Sequence, residues 1–536
     1  MKGILVSRLE SNLNVVGSGR YEVLALSCIM TVGFLLRLAC FAGISPNDDE
    51  QYAWLAHQMA HGEFRVGEYQ GPPVWPLRIG LVIPVALSFR IAGTTEIAAV
   101  FLPFLYSMAS ILIAFFAGRV MLGQSAGLLA GAIQAVIPID VRMASWLLPD
   151  AMAACWANVG VVLLWYSANQ SVRNAKCGLA ACSGLAFGIS WLCKETIFYL
   201  FPFVSIFLLW LLVRKKSNWI ILVASGGAFF AVFSAETMFY YFAQNDVLFR
   251  LHETERNYEM TKSWFFTEGS ELGWKPGGYW AALVRRLFLD GPRSILFNEN
   301  FGMVMTIAML AVPYMVIRKF RNHRFLATWF LSLVVMFNFG SSSLRAYQPI
   351  VLFDRYLYPV FLPAILLTAG FVTFLFSRNQ TPELKRERIF WGIVLSVGIL
   401  GASCLGIVRY AKEGINSPVQ RSIAGIVGPQ DTIYTDSQTP SVVKFLWGYP
   451  KTTQFCDFRG LQAAQVPHGV YVLIDRKQAS FLSAHYGDAL PDFFDRVPDS
   501  WSVRWSGHGA ALYFVEGASS DKQGLSSGRC AGSLCE

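Results

Sequence analysis

The sequence predicts a polytopic α-helical membrane protein with a small α/β domain near its C-terminal end. Of its 536 residues, 54% are hydrophobic and only 15% are charged, whereas soluble domains carry roughly 25% charged residues. Apolar runs long enough to cross a bilayer recur as far as about residue 409. Beyond that point, short apolar stretches alternate with polar ones. These observations favour many membrane spans rather than one large soluble core.

About eleven segments have the length and apolarity of a membrane span. The first is longer than the apolar part of a cleavable signal peptide, about 7–15 residues, and no A-x-A site follows, so we expect it to stay in place. Segment 75–93 is also apolar, but counting it would reverse the charge pattern of the loops, and we place it at or partly within the outer surface. The predicted spans are 21–44, 96–118, 124–140, 150–168, 177–193, 196–213, 218–242, 301–317, 325–341, 355–376 and 388–409.

The loops between these spans alternate in charge. One set is short and basic, with "RKK" at 214–216 and "RKFRNHR" at 318–324 as examples. Because basic loops stay on the cytoplasmic side, this set and residues 1–20 are predicted to be cytoplasmic. The loops 45–95 and 243–300 are then extracytoplasmic. We expect a multi-pass plasma membrane protein, in the inner membrane of a bacterium, whose net charge of +9 reflects orientation and not nucleic-acid binding.

The region 414–517 has the pattern of a small α/β domain on the extracytoplasmic side. The stretches "DTIYTDS" (431–437), "GVYVLID" (469–475) and "ALYFVEG" (511–517) are typical of strands. Between the first two, a helix is predicted to begin with Thr439 as its cap and Pro440 at its first position. The polar residues 518–536 are predicted to be disordered. The spans and their loops form the domain 21–409.

Three consecutive acids, Asp48, Asp49 and Glu50, follow the first span directly. The residues after them have helical periodicity, so Asn47 or Asp48 is a natural N-cap. Acids in a first turn favour the helix dipole by about 0.3–1 kcal/mol each. Capping accounts for one or two acids, but three beside a membrane repel one another and anionic lipid. A structural role and a catalytic role therefore both stay open.

Other ionisable residues lie where predicted spans meet the outer surface. They are costly at membrane depth and mark candidate functional positions. Each has a structural alternative: helix capping for Asp150, a local ion pair for Lys194 with Glu195, and snorkelling for Arg37. Together with Arg355 they suggest group transfer from a lipid-linked phosphate. In such chemistry a carboxylate takes a proton from the attacking hydroxyl, and cations stabilise the departing phosphate.

Seven short motifs in order make the chain resemble the GT-C glycosyltransferases of the protein O-mannosyltransferase and lipid A aminoarabinose transferase type (glycosyltransferase family 39 and relatives). They cover roughly residues 21–363. The resemblance implies a GT-C fold and inverting transfer of a sugar from a polyprenyl-phosphate donor to a lipid, glycan or protein acceptor outside the membrane, in cell-envelope modification. The motifs are "LLRLACFAG", "DDEQYA", "GPPVWPL", "GRVMLGQSAGLLAGAI", "PDA", "WLCKET" and "DRYLYPVFLP".

The resemblance also implies roles for single residues. Asp49, with Glu50 beside it, falls on the family's carboxylate of the first external loop, which implies a general base or an acceptor-orienting group. Asp150 falls on the acid of the family's "PD" motif, which implies a catalytic-site residue that helps to bind the acceptor or the sugar. Lys194 and Arg355, with Arg37, are then expected to hold the donor phosphate. Further candidates for contact with the acceptor or the sugar are Asp48, Tyr52 and Glu195.

The sequence departs from the family in two places. "KET" stands where "KG" or "KGP" is more usual, and Arg142 lies seven residues before Pro149, farther than the usual arginine. Some relatives use a divalent metal. No dense set of His and Asp requires one here, so a metal stays possible and no cofactor is certain.

Two other classes of protein handle lipid-linked sugars. A transporter or flippase is expected to show internal repeats and broken helices near the bilayer midplane, and neither is evident. An O-antigen ligase-like protein carries its large external loop late in the chain and lacks an early acidic loop. Both stay as alternatives to the transferase, and membrane lipids are expected partners of all three.

Overall fold

The computed structural model confirms a polytopic helical fold with a small C-terminal sheet domain. The predicted tail 518–536, nearly all of the predicted cytoplasmic segment 1–20 and the candidate cap Asn47 lie outside the described residues. The structure describes residues 19–516 apart from 47, 68–72, 215–217, 267–278, 318–321, 342–346, 348, 377–381, 437–438, 451–453, 459–460, 479 and 481–489.

The predicted spans are all helical, but fewer than eleven pass as complete spans. In the described part of the chain, eight helices are long and apolar enough to cross a membrane. A ninth results if two segments bent by 118°, Leu283–Phe301 and Val304–Ile317, are one span. Two predicted spans fall short because their helices have only 13 and 17 residues, at Gln124–Val136 and His323–Phe339. The apolar segment 75–93 forms the helix Ile79–Ala92.

The chain forms two compact units. The membrane unit comprises Met1–Phe41, Glu63–Pro84 and Phe101–Gly414, and the C-terminal unit comprises Ala42–Gly62, Val85–Val100 and Ile415–Glu536. The helix that carries the three acids therefore belongs to the same unit as the sheet. This assignment was not foreseen, because sequence places that helix in a loop between spans.

The helices of the membrane unit pack through small residues. Ser183 Oγ donates to the Gly160 carbonyl and Ser190 Oγ to the Ala153 carbonyl, each at 2.7 Å, which aligns two neighbouring helices. A Cβ at Gly184 would lie 2.0 Å from the Ser225 carbonyl oxygen of a third helix. The α-helices that precede residue 215, in both units, are α1 Gly19–Ala39, α2 Asp48–His61, α3 Ile79–Ala92, α4 Glu96–Met121, α5 Gln124–Val136, α6 Pro138–Met143, α7 Pro149–Ala168, α8 Arg173–Cys193 and α9 Phe201–Arg214.

Shorter helical segments interrupt the membrane unit from residue 195 onward. 3₁₀ helices occupy Glu195–Leu200, Glu299–Phe301 and Asp354–Leu357, and a π-helical turn occupies Arg286–Asp290. Such segments put side chains at breaks between long helices, where backbone groups are less tied to the helix. The α-helices between residues 219 and 413 are α10 Trp219–Gln244, α11 Phe249–Phe266, α12 Tyr279–Arg285, α13 Gly291–Leu296, α14 Val304–Ile317, α15 His323–Phe339, α16 Tyr358–Leu375 and α17 Pro382–Glu413.

The C-terminal unit contains a five-stranded mixed sheet in the order β2-β1-β3-β5-β4. The first three of these strands are parallel, and β5 is antiparallel to β3 and β4. The three predicted strands and the helix beginning at Thr439 are confirmed. Strands β2 and β4 were missed; each has only one buried residue, Cys456 and Trp501, so neither carries a clear apolar alternation. The elements are α18 Pro418–Ile426, β1 Thr432–Thr435, α19 Thr439–Leu446, β2 Gln454–Asp457, β3 Tyr471–Asp475, β4 Trp501–Gly507 and β5 Ala510–Val515.

Candidate functional site

The packing of α7 against α8 brings Asp150 and Lys194 together. Lys194 Nζ lies 2.5 Å from Asp150 Oδ1, and the two residues are only 2% and 6% exposed. Lys194 is in extended backbone (φ −162°, ψ 141°) between α8 and the next 3₁₀ helix. Asp150 follows Pro149 in the first turn of α7. Removal of either partner of such a buried ion pair would leave the other charge buried and uncompensated.

Tyr356 covers the ammonium of Lys194. Its ring centroid is 4.0 Å from Lys194 Nζ, a cation–π distance. Arg355 lies next to it in the same 3₁₀ helix, with its guanidinium carbon 5.5 Å from the Tyr356 ring. The structure therefore brings Lys194, Asp150 and Tyr356 into contact and places Arg355 beside them. Tyr356 was not among the residues selected from the sequence.

Glu195 does not pair with Lys194, so the local ion pair considered from the sequence is wrong. Its carboxylate instead accepts from Arg78 Nη2 at 3.2 Å and lies 4.0 Å from Arg250 Nη2. Arg250 also pairs with Glu236 and donates to the Trp191 carbonyl at 2.7 Å. This bond satisfies a carbonyl in the last turn of α8, just before Lys194. This network holds in place the non-helical backbone at Lys194, between α8 and the 3₁₀ helix Glu195–Leu200.

Arg37 lies in a buried network of hydrogen bonds. It is 0% exposed, so it does not snorkel to the interface. Its Nη2 donates to Asp140 Oδ2 at 2.5 Å and its Nε to Ser107 Oγ at 2.7 Å. Its Nη1 donates to the carbonyls of Gly33 and Ala135 at 2.9 and 3.1 Å. These groups occupy the guanidinium, and the expectation that Arg37 holds the donor phosphate stays a prediction.

The acids of α2 differ in their surroundings. Asp48 is half-buried and is the first residue of the helix, whereas Asp49 and Glu50 are 1% and 3% exposed. Asp49 Oδ2 accepts from the backbone N–H of Ser45 at 3.3 Å. Tyr52 is fully buried. The carboxylate of Asp49 thus points back to the segment that enters the helix.

Glu50 faces the sheet domain of the C-terminal unit. Gln51 Nε2 lies 3.1 Å from both of its carboxylate oxygens, and Ser441 also hydrogen-bonds to it. Burial raises the pKa of Glu50 to about 8, against the lowering effect of these bonds and of Lys444. Glu50 is therefore mostly protonated at neutral pH, and it adds little negative charge beside Asp49.

Metal binding finds no ready-made cluster in the described residues. No group of three or more His, Cys, Asp or Glu side chains there is arranged to hold an ion. His57 Nδ1 lies 2.9 Å from Thr94 Oγ1, and His61 Nδ1 lies 2.9 Å from the His57 carbonyl. The two histidines take part in packing and hydrogen bonding within the C-terminal unit.

Two comparisons identify the fold. Residues 80–239, which include Asp150 and Lys194, match the family model described as dolichyl-phosphate-mannose-protein mannosyltransferase. The structure resembles ArnT from Cupriavidus metallidurans bound to undecaprenyl phosphate, with a TM-score of 0.54 and 14% identity over 93% of this chain and 98% of that chain. The chain therefore has the GT-C fold and is an integral membrane protein.

The Archaeoglobus fulgidus oligosaccharyltransferase has the same fold. A structure tethered to an acceptor peptide matches with a TM-score of 0.55 and 12% identity, over 93% of this chain and 74% of that one. The AglB structure with an inhibitory peptide and a dolichol-phosphate matches with a TM-score of 0.52 and 12% identity, over 81% and 64%. Comparison with curated protein sequences found no match. The GT-C fold predicted from the motifs is confirmed.

Proposed function

We propose that the protein is an inverting glycosyltransferase that moves a sugar from a polyprenyl-phosphate donor to an acceptor on the extracytoplasmic face of the membrane. The observation that carries this proposal is the buried contact of Lys194 with Asp150 and Tyr356, beside Arg355. It lies partly within the segment that matches a mannosyltransferase family. The similar ArnT structure is bound to undecaprenyl phosphate, and the similar AglB structure is in complex with a dolichol-phosphate. These ligands support a lipid phosphate as the ligand class.

Lys194 and Arg355 bind the donor phosphate in this proposal. Asp150 holds the ammonium of Lys194 at 2.5 Å and orients its remaining N–H donors. Hydrogen bonds between charged groups are about twice as strong as neutral ones, and burial strengthens them further. The two cations then stabilise the negative charge that grows on the phosphate as the sugar departs.

Asp49 is the general base of the reaction. An acceptor hydroxyl attacks the anomeric carbon of the sugar, and its proton passes to Asp49. The bond from that carbon to the phosphate oxygen breaks, and its electron pair leaves with the polyprenyl phosphate. One displacement of this kind inverts the anomeric centre. Asp48, Tyr52 and Glu195 stay candidates for contact with the acceptor or sugar.

The extracytoplasmic location rests on the charge of the loops. The basic loops define the cytoplasmic side, and the acid-bearing loop of α2 is on the opposite side. An acceptor in the cell envelope, whether lipid, glycan or protein, fits this side of the membrane. This proposal does not specify which sugar or which acceptor is used, so its test screens several sugar donors.

Donor turnover by purified protein in lipid tests the proposal. Wild type, Lys194→Ala and the control Lys412→Ala, which removes an exposed lysine near the end of α17, are incubated with radiolabelled undecaprenyl-phosphate sugars and a membrane lipid extract. Label is expected to leave the donor with wild type and Lys412→Ala. Lys194→Ala is expected to raise the donor KM at least tenfold. Movement of intact labelled lipid between leaflets, without cleavage, would instead identify a flippase.

A further inference from the structure

We propose that the C-terminal sheet domain positions α2, the helix that carries Asp49. Arg421 and Tyr449 are the positioning residues for Asp49. This inference rests on the proposed function and gives the C-terminal domain a part in it. All the residues that carry it lie in the C-terminal unit. Two separate sets of contacts, one before Asp49 and one after it, join α2 to the domain.

The first set holds the backbone that leads into α2. The Asn416 backbone N–H donates to the Ala42 carbonyl at 2.7 Å, and Asn416 Nδ2 donates to the Gly43 carbonyl at 2.9 Å. Ser417 Oγ donates to the Ile44 carbonyl at 3.3 Å. Three consecutive carbonyls are thus bound by two consecutive residues at the start of the domain. Such pairing leaves this stretch of chain little freedom.

An ion pair closes the same segment from the other side. Arg421 Nη1 donates to Glu96 Oε2 at 2.9 Å, and its Nη2 donates to Glu96 Oε1, which makes the pair bidentate. The backbone N–H of Ile44 donates to Glu96 Oε1 at 2.7 Å, and Arg421 Nε donates to the Asn416 carbonyl at 2.8 Å. Arg421 therefore contacts one segment of the first contact set directly, through the Asn416 carbonyl, and the other, at Ile44, through Glu96.

Gly43 shows how closely the chain passes this ion pair. Its φ is +70°, in the left-handed region, and a Cβ there would lie 2.2 Å from Glu96 Oε1. A side chain at this position would meet both backbone strain and the Glu96 carboxylate. The local backbone and the ion pair thus constrain one another.

The second set of contacts lies after Asp49. The Tyr449 hydroxyl donates to the Glu50 carbonyl at 3.3 Å, and Ser441 hydrogen-bonds to the Glu50 side chain. The Tyr449 ring centroid is 4.8 Å from the rings of both Trp54 and His57. Tyr449 adopts φ +56°, a conformation that costs energy for a residue with a side chain and persists only when the surroundings enforce it.

Asp49 lies between these two anchors. It follows Ile44 by five positions and immediately precedes Glu50. Catalytic groups must be held within about 0.5 Å of the productive position, and a displacement of about 1 Å costs on the order of 100-fold in rate. The domain therefore acts on the position of Asp49, whereas Lys194 and Arg355 belong to the other unit. Loss of an anchor is expected to lower kcat and to leave donor binding intact.

The test compares Arg421→Gln and Tyr449→Phe with Arg504→Gln. Arg504 is a suitable control because its side chain is 48% exposed and lies 3.9 Å from its only described ionic partner, Glu516. Hydrogen exchange of residues 42–52 and steady-state kinetics are measured on full-length protein in lipid, with the radiolabelled undecaprenyl-phosphate sugar that wild type turns over. Arg421→Gln is expected to speed exchange in 42–52 and to lower kcat about 10–100-fold, with a donor KM within about twofold of wild type.

Tyr449→Phe keeps the ring and removes one hydroxyl, so it guards against simple misfolding of the arginine variant. A kcat reduced in the same direction, and partial recovery in Arg421→Lys, would support positioning. A kcat for Arg421→Gln and Tyr449→Phe equal to that of Arg504→Gln would overturn the inference, as would unchanged exchange in 42–52. Absence of turnover by wild type with every donor would overturn the proposed function itself and the inference with it.

Discussion

The ionisation of Glu50 makes the C-terminal unit sensitive to pH. Glu50 is 3% exposed, and its carboxyl group faces Ser441, Gln51 and Lys444, with Asp49 next to it in the chain. The fold raises its pKa from an ordinary 4.5 to about 8, chiefly through burial. The folded state therefore favours the protonated form. Its contribution to stability is full below about pH 4.5 and is lost as the pH rises through 8.

The size of the effect follows from the pKa. Each pH unit between the unfolded and folded pKa values changes the free energy of unfolding by about 1.4 kcal/mol. Between pH 6 and 8 the loss is about 2–3 kcal/mol, which corresponds to roughly 5–10 °C in Tm for a unit of this size. Glu50→Gln keeps the shape and a neutral side chain. It is expected to match wild type at pH 5 and to exceed its Tm at pH 8.

The assay is thermal unfolding in detergent from pH 5 to 9, followed by hydrogen exchange on α2 and α19. Glu516→Gln, which removes an exposed carboxylate, is the control and is expected to keep the wild-type pH dependence. If the difference in Tm between wild type and Glu50→Gln is the same at pH 5 and pH 8, the account of Glu50 as a buried neutral acid is refuted.

Two further predictions concern the membrane unit. Asp354 accepts hydrogen bonds from the side-chain amides of Asn298 and Asn300, so Asp354→Asn is expected to loosen Arg355 and to weaken binding of undecaprenyl phosphate several-fold. The double variant Asn300→Asp with Asp354→Asn is expected to restore that binding. Equal binding by the single and the double variant would contradict this role of Asp354. Arg37→Met leaves its buried partner carboxylate unpaired and is expected to cost about 3–5 kcal/mol of stability, measured as a lower Tm, whereas an unchanged Tm would contradict the buried ion pair.

Local patterns predicted the apolar helices of the membrane unit, but not the polar helix α11. Apolar length and loop charge depend only on neighbouring residues, and so do the turn residues that begin a helix at Thr439. Asp150 and Lys194 were also selected from the sequence, by the rule that ionisable residues at membrane depth are costly and usually functional. The same rule applies to Glu236, which lies within an apolar run, and it was overlooked there.

The side chain with which a charged residue pairs was harder to predict than the helix or loop in which that residue lies. Lys194 pairs with Asp150 and not with its neighbour Glu195, because the packing of α7 on α8 decides which charges meet. The pairing of Arg37 was not predicted because Asp140, its partner, is 103 positions away in sequence. The union of α2 with the sheet domain likewise depends on bonds between residues more than 300 positions apart. No periodicity in the chain records such pairings.

The central claim is that Asp49 takes part in cleavage of a lipid-linked sugar. The most direct measurement is label release from an undecaprenyl-phosphate sugar by Asp49→Asn, beside the exposed-residue control Asp499→Asn, with undecaprenyl phosphate binding measured on the same samples. The account predicts binding by all three proteins, and a rate for Asp49→Asn that is about 100–10,000-fold below wild type, as for loss of a general base. Label release by Asp49→Asn at the wild-type rate would contradict it.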